Sequence, residues 1–178
     1  MTEDDAAESQ RICVLCVGNK LMLDDGIGPA VYEELTSTYE IPDGVDIFDV
    51  GCLSMDMISW VDDYDFFISV DAVDGTDEEP GTVFRYEPHD IARTVGPATS
   101  LHEMKLADLF DAASLLGLTS KGICYGMQVD NMSPAEFTIG LTPRVFDRLP
   151  YLTECVVAEL DRQGYSLAAK KVCKTGAR

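Results

Sequence analysis

Nowhere in this chain does an apolar run approach the ~20 residues that a bilayer-spanning helix needs. Its first residues, Met1 to Gln10, are acidic and polar rather than basic and then apolar. Neither a membrane span nor a signal peptide is expected, and cytoplasm is the expected compartment. Basic residues are scarce: 13 Lys and Arg stand against 32 Asp and Glu, for a net charge of −19. From Arg162 onward the chain holds Arg162, Lys170, Lys171, Lys174 and Arg178 and no acid, so the body before it is more acidic than the total suggests. Such a body repels phosphate backbones and anionic lipid, which argues against nucleic acid and membrane surfaces as partners. It suits a cation or a basic protein segment, although for most single carboxylates solubility is reason enough.

A second CxxC is also missing. Cys13-Val14-Leu15-Cys16 stands without the partner that a zinc or redox site would want. It lies in an apolar run, where a strand sends positions three apart to opposite faces, so both thiols are expected in the core. The other four cysteines belong to a chain of 178 residues, which at that length and with no export signal needs no disulfide staples. The length and the 46% hydrophobic content suit one compact domain. The expected organisation is an acidic, flexible N-terminus over 1–11, a single domain over 12–164 and a basic, flexible tail over 165–178.

Along the chain, Ile12 to Val17 reads as a buried strand stopped by Gly18-Asn19. Ile27, Val31, Leu35 and Tyr39 recur every four residues and predict a helix from about Gly28 to Tyr39, with Pro29 in its first turn. Val45 to Val50 is a second strand, Met55 to Val61 a short helix with Ser54 as N-cap, and Phe66 to Val73 the clearest strand. Thr82 to Tyr86 reads as an added, antiparallel strand. A helix from about His102 to Leu116 is closed by Gly117, Gly122 to Val129 is another strand, and Pro143 to Gln163 supplies the last helix. Strands alternating with helices predict an α/β fold, a three-layer α/β/α sandwich on a twisted, mostly parallel sheet.

In such sheets the ligand crevice lies beyond the carboxyl ends of the strands. Three predicted strands end in acid there: Asp24-Asp25 after the first, Asp49 at the second, Asp71 and Asp74 at the third. An Asp closing the apolar run Phe66-Phe67-Ile68-Ser69-Val70 is costly unless something pairs with it. Asp25 and Asp71 are therefore the leading candidates, while Asp24 or Asp49 could equally cap a helix or pin a turn. The glycines around Asp24-Asp25 form neither GxGxxG nor a P-loop, and two carboxylates sit where a phosphate would bind. That makes a dinucleotide site a weak runner-up.

Histidine is nearly absent, with only His89 and His102. His89, in Glu87-Pro88-His89-Asp90, reads as an exposed loop residue. His102 follows Ser100 and precedes Glu103, a capping-box pattern, and the positive end of a helix would keep its ring neutral and able to ligate a metal. It could instead merely cap or pack. Two carboxylates and an imidazole suit a divalent first-row ion with open positions. There is no HExxH, and Asp74-Gly75-Thr76 is not the Asp-Thr/Ser-Gly of pepsin-like enzymes. Residue chemistry alone stops at an open divalent-metal site on an α/β sheet.

The order and spacing of several short motifs go further. Val17-Gly18-Asn19 with Asp24-Asp25-Gly26-Ile27-Gly28, then Asp49-Val50-Gly51, Val70-Asp71-Ala72-Val73-Asp74, Pro80-Gly81-Thr82-Val83, Ser100-Leu101-His102, Gly126-Met127-Gln128 and Gly140-Leu141-Thr142-Pro143 resemble the hydrogenase maturation endopeptidases over about residues 12 to 162. The resemblance implies a phosphorylase/hydrolase-like fold and an aspartic or metal-dependent peptidase that acts on a hydrogenase large-subunit precursor; chain size alone suggests a monomer. It implies that a C-terminal extension is removed after nickel insertion, with the substrate's nickel as recognition element; cadmium or zinc could occupy the same site. The metal ligands implied are Asp25, Asp71 and His102. Asp25, Asp71 and Asp49 are the residues implied in cleavage. A nickel-binding scaffold without catalytic activity is the alternative on the same fold. This sequence departs from the family pattern after the second strand, where Asp49-Val50-Gly51-Cys52 replaces Asp-Gly-Gly-Thr.

Overall fold

The computed structural model describes residues 10–90 and 105–171. Along the chain these form β1 (Ile12–Val17), α1 (Ile27–Thr38), β2 (Tyr39–Glu40), β3 (Val45–Gly51), α2 (Trp60–Asp63) and β4 (Phe66–Val73). There follow β5 (Val83–Tyr86), α3 (Leu106–Leu115), β6 (Lys121–Gln128), α4 (Pro143–Arg162) and β7 (Ala168–Ala169). Five strands make one sheet in the order β3-β1-β4-β6-β5. The first four run parallel and β5 lies antiparallel against β6. This is the mostly parallel, mixed sheet expected, with its added strand on the edge.

The apolar runs are continuous because both faces of the sheet are covered. In β1, Ile12, Val14 and Cys16 pack into one core with Val31 and Leu35 of α1 and Leu152, Val156 and Leu160 of α4. Cys13 and Leu15 point the other way, into a core with Val61, Leu106 and Leu109. The two thiols therefore do part to opposite faces. Burial above all pushes Cys16 up to about 12 and Cys13 higher still, so both stay protonated and inert.

One close approach sets the height of α1 against the sheet. A Cβ on Gly28 would stand 2.0 Å from the Val17 carbonyl oxygen, so only glycine lets the first turn of α1 lie on the end of β1. The helix buries Ile27, Val31 and Leu35 at the spacing the sequence shows.

Three local expectations need correction. The segment after Ser54 forms a 3-10 helix, Met55–Ser59, before α2, and Ser54 makes no side-chain cap. The helix expected from His102 begins at Leu106: Lys105 is extended, and Asp108 Oδ2 accepts the Lys105 amide at 2.8 Å, closing a different capping box. His102 itself lies outside the described residues, as do Ser100 and Glu103. Nor does the chain leave the body at Gly164. β7 pairs antiparallel with β2, the Lys170 amide donates to the Thr38 carbonyl at 2.7 Å, and the Tyr165 hydroxyl donates to the Gln10 carbonyl. Main-chain pairing at the end of α1 is a tertiary event that tail composition does not show. Among the described residues no helix is long and apolar enough to cross a membrane.

Glu159 of α4 is wholly buried yet ionised. Burial alone would raise its pKa. Hydrogen bonds from Arg85, Tyr125, Gln163 and Arg162 outweigh burial and hold it at about 2. Arg85 approaches from β5 at 3.0 Å and Arg162 from the same helix at 2.7 Å. A carboxyl depressed from 4.5 to about 2 contributes stability that is complete above pH 4.5 and is lost as pH falls toward 2. The contribution is roughly 3 kcal/mol. Urea midpoints taken from pH 6 down to pH 2 are expected to fall in that window, and Glu159→Gln should flatten the fall while lowering stability at pH 6. An unchanged pH slope in the variant would remove this account.

Candidate functional site

β1 is flanked by β3 on one side and β4 on the other, so the chain reverses its winding direction around β1, and a crevice opens beyond the strand ends. A cleft of about 730 Å³ lies there. The loop after β1 lines it with Gly18, Asn19, Lys20, Met22 and Asp25. The end of β3 adds Asp49, Gly51, Cys52 and Leu53, β4 adds Asp71, and the loop after β6 adds Met132 and Ser133. Asp25, Asp49 and Asp71, all singled out from the sequence, thus share one cleft.

Each carboxylate is held differently. Asp25 Oδ2 accepts the Asn19 amide at 2.9 Å, which folds the loop back on itself. Gly18 is required at that turn: its φ is +132°, and a Cβ would stand 1.9 Å from the Asp25 carbonyl oxygen. Asp71 Oδ1 accepts the Ala72 amide at 2.8 Å. Asp71 acts electrostatically on Tyr86 and Cys124. Burial first, then Cys124 and last the Asp71 charge, raise the Tyr86 hydroxyl far above its usual value. Burial also dominates at Cys124, whose pKa of about 11 is raised further by Asp71 and eased by a hydrogen bond to Ser69.

Asp49 stands where β3 bulges. Its partner across the ladder is Cys16, whereas the next residue of β1, Val17, pairs with Gly51, so Val50 is the extra residue. Its Oδ2 lies 2.9 Å from Lys20 Nζ, which also contacts Glu33 at 3.0 Å. The two carboxylates raise the Lys20 pKa, with the hydrogen bond to Asp49 the larger cause.

Asp24 is not in the cleft. It is fully buried. Its carboxylate accepts the Asp130 and Asn131 amides at 3.1 and 2.9 Å and the Thr142 amide and hydroxyl at 2.6 and 2.9 Å. This tie clamps both ends of the 130–142 loop against the 3-10 turn Leu23–Gly26. Leu23 pays a backbone cost for that turn, at φ 54°, about 1–2 kcal/mol for a residue other than glycine. Asp74 also lies outside the cleft, bound to the Gly75 amide at 2.7 Å.

Among the described residues no three His, Cys, Asp or Glu side chains stand as a group that could hold a metal ion. The donor set present fits the ion only in part: Asp25 and Asp71 supply carboxylate oxygens, Asp49 is shared with an ammonium, and the third expected ligand, His102, lies outside the described residues. His89 is exposed, as expected, and contacts Asp111 at 3.0 Å on the surface.

The hydrogenase maturation protease family model, HycI, matches residues 29–159. The chain is 32% identical over 155 residues to the hydrogenase 2 maturation protease of Escherichia coli strain K12, covering 86% of this chain and 93% of that one. This chain belongs to the hydrogenase maturation protease family. Among solved structures it is similar to the hydrogenase maturating endopeptidase HybD from E. coli, with a TM-score of 0.80 and 30% identity over 90% of this chain and 98% of that chain. The hydrogenase expression/formation protein HupD of Bradyrhizobium diazoefficiens is 30% identical over 149 residues, 81% of this chain and 74% of its own. The maturation protease HycI from Thermococcus kodakarensis, at 22% identity and a TM-score of 0.68, shares the fold. The family model begins after Asp25 and spans Asp49, Asp71 and His102.

For this protease, sequence reasoning passed over Lys20, Met132 and Ser133. A signal for Lys20 was present: it is the one basic residue between Arg11 and Arg85, and a lone cation in an acidic stretch is expected to find a carboxylate. Met132 and Ser133 carry no such mark, because long-range hydrogen bonds to the turn after β1, the Asp24 clamp among them, bring their loop to the cleft.

Proposed function

We propose that this protease removes a C-terminal extension from the large-subunit precursor of a nickel–iron hydrogenase once nickel is in place, acting in the cytoplasm as a monomer. Asp25, Asp71 and His102 grip the substrate's nickel as the recognition element; zinc or cadmium serves as a stand-in at the same ligands. The observation that carries this reading is the convergence of Asp25, Asp49 and Asp71 on one open cleft at the carboxyl edge of the sheet. Membership of a family of hydrogenase maturation proteases supplies the substrate class.

Carboxylate and imidazole donors suit a borderline divalent ion, and a cleft open to solvent leaves positions for ligands that the precursor itself brings. The ion would polarise a neighbouring carbonyl or water. The chain's own contribution is an acidic wall. Asp25 and Asp71 orient the ion and the attacking water and accept its proton as it adds to the scissile carbonyl, and the departing amine is protonated in turn. Asp49 acts through the Lys20 ammonium that it holds in the cleft.

Incubation with nickel-loaded precursor is expected to release the extension, read as a loss of intact mass, and nickel-free precursor should stay whole. No loss of mass in either state would leave a nickel-binding scaffold. Cadmium titrated calorimetrically should bind Asp25→Ala, Asp71→Ala and His102→Ala at least tenfold more weakly than the unsubstituted protein. Undiminished affinity in all three would remove the ligand assignment.

A further inference from the structure

Beside the cleft lies an apolar ledge. Leu21, Phe137 and Ile139 are 43%, 78% and 79% exposed. They are neighbours because residues 21–23 and 137–139 pair as a parallel bridge centred on Met22 and Thr138. The Thr138 amide donates to the Leu21 carbonyl and the Leu23 amide donates to the Thr138 carbonyl, both at 2.8 Å. Met22, next to Leu21 in the chain and bridged to Thr138, lines the cleft. Ile139 also walls a shallow groove of about 120 Å³ against Pro29 and Ala30 of α1. Lys20 borders both that groove and the cleft, so the Ile139 end of the ledge adjoins the cleft.

Single exposed apolar residues need no explanation, but a contiguous group at the rim of a binding cleft does. We infer that this ledge docks the protease's protein substrate: an apolar surface of the hydrogenase large-subunit precursor seats on Leu21, Phe137 and Ile139 while its extension enters the cleft. The inference rests on the function proposed above. A second copy of this chain is a poorer occupant, because three such side chains bury on the order of 400 Å² and a stable dimer needs about 800 Å² from each partner. The ledge reaches that area only together with the cleft, which a copy of the same acidic surface would be repelled from entering. The carboxylates of the cleft bind weakly to anything apolar, so the ledge supplies the affinity and the cleft the selectivity.

The test is the double variant Phe137→Ser/Ile139→Ser, measured against nickel-loaded precursor. Both side chains are exposed, so its melting temperature should match that of the parent. By biolayer interferometry its Kd for the precursor is expected to rise at least about 30-fold, as for loss of a pair of interface anchors. Its KM should rise in parallel and kcat at saturating precursor stay unchanged. Leu115→Ser/Leu116→Ser, at the end of α3 on the opposite face of the sheet, should bind and cleave as the parent does. If the parent binds the precursor without cutting it, the proposed function fails, and loss of that binding in the ledge variant would still support the docking surface. Equal Kd for parent and ledge variant overturns the docking surface whatever cleavage shows. A parent dimer in light scattering that the ledge variant dissolves also overturns it, in favour of a second copy, and no precursor binding by the parent overturns both readings.

Discussion

Substituting Asp71 with asparagine is expected to slow precursor cleavage by at least about 10³-fold, the scale seen when one member of a catalytic constellation is lost. The melting temperature should stay within a few degrees of the parent's. Asparagine keeps the volume, and its amide oxygen can still accept the Ala72 amide that now donates to Asp71 Oδ1 at 2.8 Å. What disappears is the negative charge near the end of β4, felt by the largely buried Tyr86 hydroxyl and Cys124 thiol. In that setting a charge acts strongly on a cation or a proton, since little water screens it from below. Asp25→Asn should behave alike, whereas Asp49→Asn, which releases Lys20, should lose less. Intact mass sampled over time gives the rates. An Asp71→Asn protein retaining a tenth or more of parental activity would remove this carboxylate from the chemistry.

The largest effect on stability is expected at the neighbouring residue. Asp24→Ala should cost about 3–5 kcal/mol, the usual penalty for removing a buried charged acceptor and stranding its donors. Three backbone amides and one hydroxyl converge on this carboxylate, and all four come from Asp130, Asn131 and Thr142. Without it the 130–142 loop loses the side-chain ties at both of its ends. Met132 and Ser133 would leave the cleft wall and the pairing of Met22 with Thr138 would loosen. Denaturant unfolding should show the loss in midpoint, and hydrogen exchange should show it concentrated at residues 20–26 and 130–142. A shift below about 1 kcal/mol, or exchange spread evenly over the sheet, would contradict the clamp.

Much of the scaffold was legible in the residues. Phe66 to Val73 is apolar on both faces because helices cover both faces, and its boundaries in β4 are those that the run predicts. Pleat geometry placed Cys13 and Cys16 in separate cores, and the four-residue repeat of α1 names its buried side. The candidate carboxylates were legible for a related reason. In a parallel sheet every strand ends at the same edge, so an acid that closes an apolar run is carried to the crevice by topology alone. The start of α3 was not legible, because two capping patterns, Ser100 with Glu103 and Lys105 with Asp108, follow one another closely along the chain. Main-chain conformation at Lys105 settled which of them opens the described helix.

Asp24 and Asp25 show most plainly where sequence stops. Local chemistry determined that two adjacent acids follow β1 on a glycine-bounded turn, and that such a turn repels phosphate. It could not tell them apart, because adjacent side chains on a 3-10 turn point in different directions and the groups that receive Asp24 are more than a hundred residues away. Folding decided that Asp24 is sealed among the amides of the 130–142 loop and Asp25 left facing the cleft. It likewise decided that Lys20 meets Asp49. The strand-and-helix order, and with it the expectation of a parallel sheet with an acidic edge, is written in short-range periodicity and composition. Which carboxylate is buried to build the cleft and which one faces it depends on long-range hydrogen bonds, and those exist only once the loop after β6 has closed over the turn after β1.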